Sequence, residues 1–355
     1  MADKMEDTRQ LITKNLKVLR TLQILQTEDR KISINEVAVR ANMPWLSLKN
    51  VLKAFIGHNI IDNDYKINPS SAYFMGISMS KNKLDISIVG LDGKCLDLEQ
   101  ISKKLVISPK LLDNYHFEYS LHGFLELSKY IKEYIKDLKS VYPIKAICFS
   151  FDDANIGDKS FSTSNYFTDK VIVPYSFARI CEHEFKDLKD DVEVFLDCNS
   201  ACYVLSKEYP CFKKEGNQLY LHFAKTGFFV TPIIDNKIHY GRNFQALNVT
   251  SLIDEKERQC LLSKDTTCEI EEMIPILEKL FTPFIITLAP NCFSLGFDTS
   301  LDNSKYWNYF FVLIYDLYGQ DCYYPDYQID ILPHISYGTA ISAMYQYYGW
   351  DLELI

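Results

Sequence analysis

The stretch from Ser33 to Ile61, S-I-N-E-V-A-V-R-A-N-M-P-W-L-S-L-K-N-V-L-K-A-F-I-G-H-N-I-I, predicts two short helices that meet at a tight corner. Ser33, followed three residues later by Glu36, forms a capping-box pattern that satisfies backbone amides at a helix start. Asn42 tolerates a left-handed backbone at the corner, and Pro44 can begin a helix but cannot continue one. The second helix has apolar residues at helical spacing: Leu48, Val51, Leu52 and Phe55.

Two helices joined by a short turn form the arrangement that places its second helix in the major groove of DNA. A helical hairpin that only packs against the rest of the chain would give the same pattern, so the motif leaves both readings open. Two neighbouring features favour DNA. The apolar spacing from Leu11 to Gln26 predicts a supporting first helix, and Ile60 to Ile67 predicts a strand, a turn and a strand, as in a small wing.

We therefore predict a winged helix-turn-helix over residues 1–68. A helix-turn-helix reads bases from its second helix and fixes its position through phosphate contacts. The base-facing candidates are Trp45, Ser47, Lys49 and Asn50, and the phosphate-facing candidates are Arg40, Lys53 and Lys66.

The charge distribution agrees with a DNA-binding head on a different kind of body. The 355 residues carry a net charge of −9, yet the first 70 hold 11 Lys and Arg against 8 Asp and Glu. A mildly basic head on an acidic body suits a nucleic-acid module joined to a domain that binds something else. We find no membrane span or signal peptide in the sequence, and expect a cytoplasmic protein.

The ten cysteines are scattered and form no C-x-x-C pair. That distribution favours reduced thiols over a disulfide framework. The stretch Cys181–Glu184 (C-E-H-E) is better explained as a solvated charged helix face than as a metal site.

The remainder of the chain predicts two similar halves, each a small mixed sheet with helices. The first half begins with two alternating strands between Tyr73 and Gly90, and the second repeats the hairpin between Gln218 and Ile234. This is the two-lobed pattern of actin-like ATPases. We expect the first lobe to span 69–190 and the second 191–355, with the C-terminal helix returning to the first lobe.

The order of several motifs resembles the ROK family of bacterial repressors and sugar kinases. G-I-S-M-S-K-N-K-L from Gly76 is similar to the family's first phosphate-loop hairpin, and V-F-L-D-C-N-S-A from Val194 to its E-N-D-x-N-A-A segment. The hairpin from Leu219 corresponds to the second phosphate loop. A-P-N-C-F-S-L-G from Ala289 and Y-G-T-A-I-S-A from Tyr337 are similar to the family's last two motifs.

Compared with the family pattern, the kinase motifs are degenerate. Ser78 stands where the family has the first-loop aspartate, and a hydroxyl cannot organise Mg²⁺ as a carboxylate does. Phe228 and Phe229 replace glycine-rich sequence in the second loop. Asp197 matches the family's catalytic base, although an aspartate before a helix is more often structural. We expect no cofactor and no kinase activity, with Asp197 as a relic.

The resemblance implies an effector cleft, because the family binds sugars there. The candidate effector-binding residues are Asp197, Asn199, Asn248 and Ser251. The family's structural zinc site is not expected, because Ser251 replaces its histidine and only Cys260 and Cys268 remain nearby, which cannot form a tetrahedral site.

The sequence thus predicts a ROK-like transcriptional regulator, a homodimer that binds DNA through its head and senses a sugar or sugar phosphate in its body. Two alternatives stay open. One is an active ATP-dependent sugar kinase with an added head, and the other is a scaffold whose winged helix contacts protein instead of DNA.

Overall fold

The computed structural model describes most of the chain. The described residues are 2–13, 16–27, 32–80, 83–96, 121–151, 183–186, 192–208, 217–224, 227–235, 237–239, 249–262, 270–290, 292–297, 330–331 and 335–349.

The N-terminal part is helical. Its four helices are α1 (Ala2–Thr13), α2 (Leu16–Thr27), α3 (Ile34–Arg40) and α4 (Trp45–Gly57). The expected single helix over Leu11 to Gln26 is corrected, because α1 ends at Thr13 and α2 begins at Leu16. Residues 14 and 15 lie outside the described residues.

The first sheet follows a short 3₁₀ turn at Pro69–Ser71. Its strands lie in the order β2-β1-β3-β4, with an antiparallel β1–β2 hairpin and parallel pairs β1–β3 and β3–β4. The strands are β1 (Tyr73–Ser80), β2 (Lys83–Gly90), β3 (Ile144–Phe151) and β4 (Glu193–Cys198). The described residues of this part also form the helices α5 (Leu121–Val141) and α6 (Asn199–Glu208).

The second sheet repeats this order as β7-β6-β5-β8-β9, again with an antiparallel hairpin followed by parallel pairs. Its strands are β5 (Gln218–Ala224), β6 (Gly227–Ile234), β7 (Lys237–Ile238), β8 (Cys292–Phe297) and β9 (Asp330–Ile331). The helices of this part are α7 (Glu255–Leu262) and α8 (Ile270–Leu288), and the C-terminal helix is α9 (Ile335–Tyr348).

The first sheet includes a strand that follows the expected lobe boundary at residues 190 and 191, and the lobe boundaries themselves stay a prediction. Strand β4 pairs in parallel with β3, from Ala146 opposite Glu193 to Phe151 opposite Cys198. The first sheet therefore continues beyond residue 190. A strand preceding a helix looks the same in sequence whichever sheet it joins, so the pattern could not assign it.

Helix α9 lies against the first sheet so closely that two glycines are required. A Cβ atom on Gly76 of β1 would lie 2.1 Å from the Ser336 carbonyl oxygen. A Cβ atom on Gly338 of α9 would lie 1.6 Å from the Cys202 carbonyl oxygen on α6. The backbone of α9 is thus in direct contact with a strand on one side and a helix on the other.

The buried side chains of the described residues form two apolar cores. One is continuous from the N-terminal helices to the first sheet and α9, and includes Leu22, Phe55, Phe74 and Tyr345. The other lies between the second sheet and helices α7 and α8. Complete burial of a side chain such as Phe55 contributes roughly 2 kcal/mol.

Candidate nucleic-acid interface and effector cleft

The corner between α3 and α4 is built as its sequence predicts. The Ser33 hydroxyl oxygen accepts a hydrogen bond from the Glu36 backbone amide at 3.2 Å and caps α3. Asn42 has a φ of 47°, and the Met43 amide donates to the Ala38 carbonyl at 2.9 Å, closing the turn. Both local predictions are confirmed. Pro44 occupies the N-cap position of α4.

Helix α4 has an inner and an outer face. Leu48, Leu52 and Phe55 are buried at helical spacing and fix the helix on the core. The seven residues predicted to contact DNA are all exposed: Arg40, Trp45, Ser47, Lys49, Asn50, Lys53 and Lys66. Their exposure leaves these side chains accessible to a partner.

The N-terminus of α4 carries an aromatic ring beside a cation. The Lys49 Nζ atom lies 4.9 Å from the centroid of the Trp45 ring, one turn along the helix. The first turn of α4 contains no acidic residue, so the positive end of the helix dipole is not compensated there. This end of the helix is electrostatically suited to an anion.

The predicted wing is reduced to one bridge. Ile61 and Ile67 pair in an isolated antiparallel β-bridge, and Ile61 is buried. The Asp62 carboxylate accepts from the backbone amides of Asp64 and Lys66 at 2.8 and 2.9 Å, which holds the tip of the turn. The turn keeps Lys66 exposed at the end of a short loop.

In the body, Asp197 is buried at the end of β4 and is bonded to α9. Its carboxylate accepts hydrogen bonds from the Ser342 hydroxyl at 2.5 Å and from the Cys198 backbone amide at 2.8 Å. The Gln346 side chain, one turn further along α9, donates to the Ser342 hydroxyl at 3.0 Å and to the Leu196 carbonyl at 3.3 Å. The carboxylate thus joins a strand end to the C-terminal helix.

Burial dominates the electrostatics of this cluster. It raises the pKa of Asp197 to about 6, although the hydrogen bonds from Ser342 and Cys198 act in the opposite direction. Burial, and then the charge of Asp197, also raises the pKa of the Cys202 thiol well above its usual value. A thiol held protonated is a poor nucleophile and a poor metal ligand.

The first hairpin has no carboxylate at the position that the resemblance assigns to Mg²⁺. Ser78 is 6% exposed and lies opposite Asp85 on β2 and Ser150 on β3. In the second hairpin, Phe228 is fully buried, with its ring centroid 5.6 Å from that of Phe223. Phe228 is therefore a core residue of the second sheet.

The structure describes three of the four predicted effector residues. Asn199, like Asp197, is 3% exposed. Ser251 lies in a 3₁₀ turn at Thr250–Leu252, and Asn248 lies outside the described residues. The structure brings Asp197 and Asn199 together at the junction of β4 and α6, and the proposed role of all four stays a prediction.

The sequence reading missed the polar partners on α9. Ser336 bonds to Ser87 on β2 at 2.8 Å, Thr339 to Ser150 on β3 at 2.8 Å, and Ser342 to Asp197 on β4. These small polar residues recur every third position in an otherwise apolar helix. That spacing was visible in the sequence and could have identified the face that lies on the sheet.

The cysteine prediction needs one correction. Cys95, Cys148, Cys198 and Cys202 are free thiols, but Cys260 is disulfide-bonded. The expectation of reduced thiols is therefore wrong for Cys260, because sequence spacing does not reveal which cysteines meet in the fold.

Among the residues that the structure describes, no group of His, Cys, Asp and Glu side chains could hold a metal ion. The carboxylate of Glu184, the last residue of the C-E-H-E stretch, instead accepts hydrogen bonds from the Ser128 hydroxyl at 3.1 Å and from the Lys132 ammonium at 3.3 Å. None of the helices in the described part of the chain is long and apolar enough to span a membrane.

A helical head followed by two sheets of the same strand order defines the class of fold: an actin-like, sugar-kinase-type body preceded by an N-terminal helical module. No family model matches the sequence, and no curated protein matches it. Solved structures do match the fold.

The first of these is a ROK-family transcriptional regulator described as a homologue of the E. coli MLC protein. It superposes with a TM-score of 0.65 at 11% identity, over 96% of this chain and 98% of its own. A ROK-family protein from Streptococcus pneumoniae TIGR4, in complex with sucrose, has a TM-score of 0.51 at 17% identity, over 78% of this chain and all of its own. The chain has the fold of ROK-family proteins, and the resemblance inferred from its motifs is confirmed at that level.

Proposed function

We propose that this chain is a ROK-like transcriptional regulator, probing DNA with a winged helix-turn-helix over residues 1–68 and using its body for dimerisation and for sensing a sugar-like effector. One observation carries the proposal: helix α4 buries Leu48, Leu52 and Phe55 while it exposes Trp45, Lys49 and Asn50 at its outer face. The similarity of fold to a ROK regulator over 96% of the chain supports the same function, since it extends beyond the body into the head.

The body supports regulation more than catalysis. Phosphoryl transfer needs a metal-binding carboxylate, space for phosphates and a base that reaches the substrate. Ser78 is buried at the position where the resemblance requires the metal-binding carboxylate, and Phe228 is buried where it requires space for phosphates. Asp197, at the position of the base, is bonded to α9. We propose that the body does not phosphorylate sugars, and a coupled assay with ATP and glucose, N-acetylglucosamine or N-acetylmannosamine should give no turnover.

The head is tested by replacing two exposed cations of α4. Lys49→Ala combined with Lys53→Ala should weaken binding to duplex DNA about tenfold or more near 0.1 M salt, because each phosphate contact releases a counterion. The slope of log affinity against log salt should become shallower by about 1, because Lys53 is the predicted phosphate contact of this pair and Lys49 is the predicted base contact. Lys129→Ala with Lys136→Ala, two exposed lysines on α5, is the matched control.

The measurement is a salt titration of DNA binding by fluorescence anisotropy. Unchanged affinity and slope in the α4 variant would remove this helix from the interface. Equal losses of DNA affinity in the α4 and α5 variants would mean that the effect comes only from the change in net charge.

A further inference from the structure

The corner of the head exposes an unusual amount of apolar surface. Val39 is 80% exposed, Leu46 66% and Trp45 45%, and we call these three residues the apolar tip. Among the described residues, seven large apolar side chains are at least 41% exposed, and three of them lie within eight positions at this corner. Such a concentration marks a contact surface, since isolated exposed apolar residues need no explanation.

Helical geometry aligns the tip with the predicted DNA face. Leu46 is the second residue of α4, and Asn50 and Lys53 follow at positions i+4 and i+7, so the three share one face. Trp45 shares a face with Lys49, whose Nζ atom lies over its ring. Leu46 is not among the residues that the sequence predicted to contact DNA. Because it shares a helix face with Asn50 and Lys53, which are, we add Leu46 to that surface.

The charges around the apolar tip indicate what kind of partner it binds. Exposed cations flank it at Arg40, Lys49 and Lys53, and the first turn of α4 lacks an acidic residue. An apolar surface ringed by cations is complementary to a polyanion that presents apolar groups. The C5 methyl of thymine is the apolar group on the floor of the DNA major groove, where the first residues of the second helix contact base edges.

We propose that the apolar tip binds thymine methyl groups, with Leu46 as the principal contact, so that the head selects half-sites with thymine at defined positions. This inference rests on the proposed DNA-binding function and names its sequence preference. A protein partner would also cover apolar surface, but the flanking cations favour DNA.

The test uses the full-length protein and a duplex enriched from random sequence. Each thymine of the half-site is replaced in turn by deoxyuridine, which lacks only the methyl group and keeps the hydrogen-bonding edge. Removing one contacted methyl should weaken binding roughly fourfold at one or two positions. Leu46→Ala should lower affinity for the thymine duplex and abolish the difference between thymine and uracil at those positions.

The control is Ile286→Ala, which shortens a side chain that is 70% exposed on α8, in the body. This variant should keep wild-type affinity and wild-type sensitivity to uracil. Since Leu46 and Ile286 are both exposed, neither change should threaten folding, and thermal unfolding verifies this.

The two proposals fail differently. Specific DNA binding that is indifferent to every thymine methyl, or a Leu46→Ala variant that discriminates uracil as the wild type does, overturns this inference and leaves the proposed function standing. Absence of binding to any duplex overturns both.

Discussion

Asp197 is a buried carboxylate that is bonded to two elements of the fold. Its carboxylate is 3% exposed and accepts hydrogen bonds from Ser342 and from the Cys198 backbone amide. In this protein the carboxylate holds α9 to the end of β4, and the consequence is a stability that depends on pH.

The folded-state pKa of about 6 lies above the ordinary value near 4, so the native state binds this proton more tightly than the unfolded state does. The stabilisation is complete below pH about 4 and is lost as the pH rises through 6. Relative to Asp197→Asn, which cannot titrate, the wild type should gain about 2 to 3 kcal/mol of unfolding free energy between pH 7 and pH 4.

Denaturant unfolding of both proteins across this pH range measures that difference. Glu272→Gln, which neutralises an exposed carboxylate on α8, is the control for general charge effects. A difference between wild type and Asp197→Asn that stays constant with pH would contradict the buried, proton-binding carboxylate.

At the scale of elements, α9 packs against both the first sheet and α6. Its contact with both is made by backbone, and Gly338 permits it because a Cβ atom there would lie 1.6 Å from the Cys202 carbonyl oxygen. Backbone atoms in packed elements cannot move aside cheaply.

Gly338→Ala should therefore destabilise the protein by about 3 kcal/mol or more, by forcing α9 away from α6. Gly57→Ala is the matched control, since nothing lies within 4 Å of a Cβ at the last residue of α4 and the substitution should be neutral or stabilising. Thermal melts of both variants decide the point. Similar melting temperatures for the two would mean that α9 and α6 are not in backbone contact.

Local signals predicted elements better than they predicted assembly. The Ser33 cap, the left-handed Asn42 and the two strands between Tyr73 and Gly90 depend on neighbours in sequence, and all are in the structure. The sheet that β4 joins is set by its pairing with β3, and the partner of Asp197 is Ser342 on α9, 145 residues away in sequence. Neither could be derived from short-range periodicity.

In the candidate site, too, some features could be predicted from the local sequence and others could not. Exposure of Lys49 and Lys53 followed from the 3.6-residue period, because the buried face of α4 was visible in the sequence. The exposure of Leu46 did not follow, because an apolar residue beside a buried stripe is ordinarily expected to join it.

At the scale of the whole molecule, the head is fastened to the body at the last turn of α9. Arg9 on α1 forms an ion pair with Glu193 on β4, and its guanidinium carbon lies 4.5 Å from the ring centroid of Tyr347. The neighbouring Thr8 hydroxyl lies 3.2 Å from Nδ1 of His58, which caps the end of α4. Residues 8 and 9 thus lie between the proposed DNA-reading helix and the helix that binds Asp197.

Arg9→Met should loosen this attachment while keeping most of the side-chain volume. The ion pair is partly exposed and the ring contact is modest, so the loss of stability should be only about 1 kcal/mol. Hydrogen exchange of the α1 amides should nevertheless rise, because the contact anchors that helix locally. Arg20→Met, at an exposed position on α2, is the control, and equal exchange of α1 in the two variants would show that Arg9 does not fasten the head.

The central claim, that the head reads DNA, is tested most directly by selecting duplexes from a random-sequence pool with the full-length protein at moderate salt, followed by sequencing. The account predicts an enriched inverted repeat, because the two subunits of the proposed homodimer, related by a two-fold axis, would present two recognition helices to the two half-sites. A pool that stays random, with the protein folded in the same buffer, would contradict it.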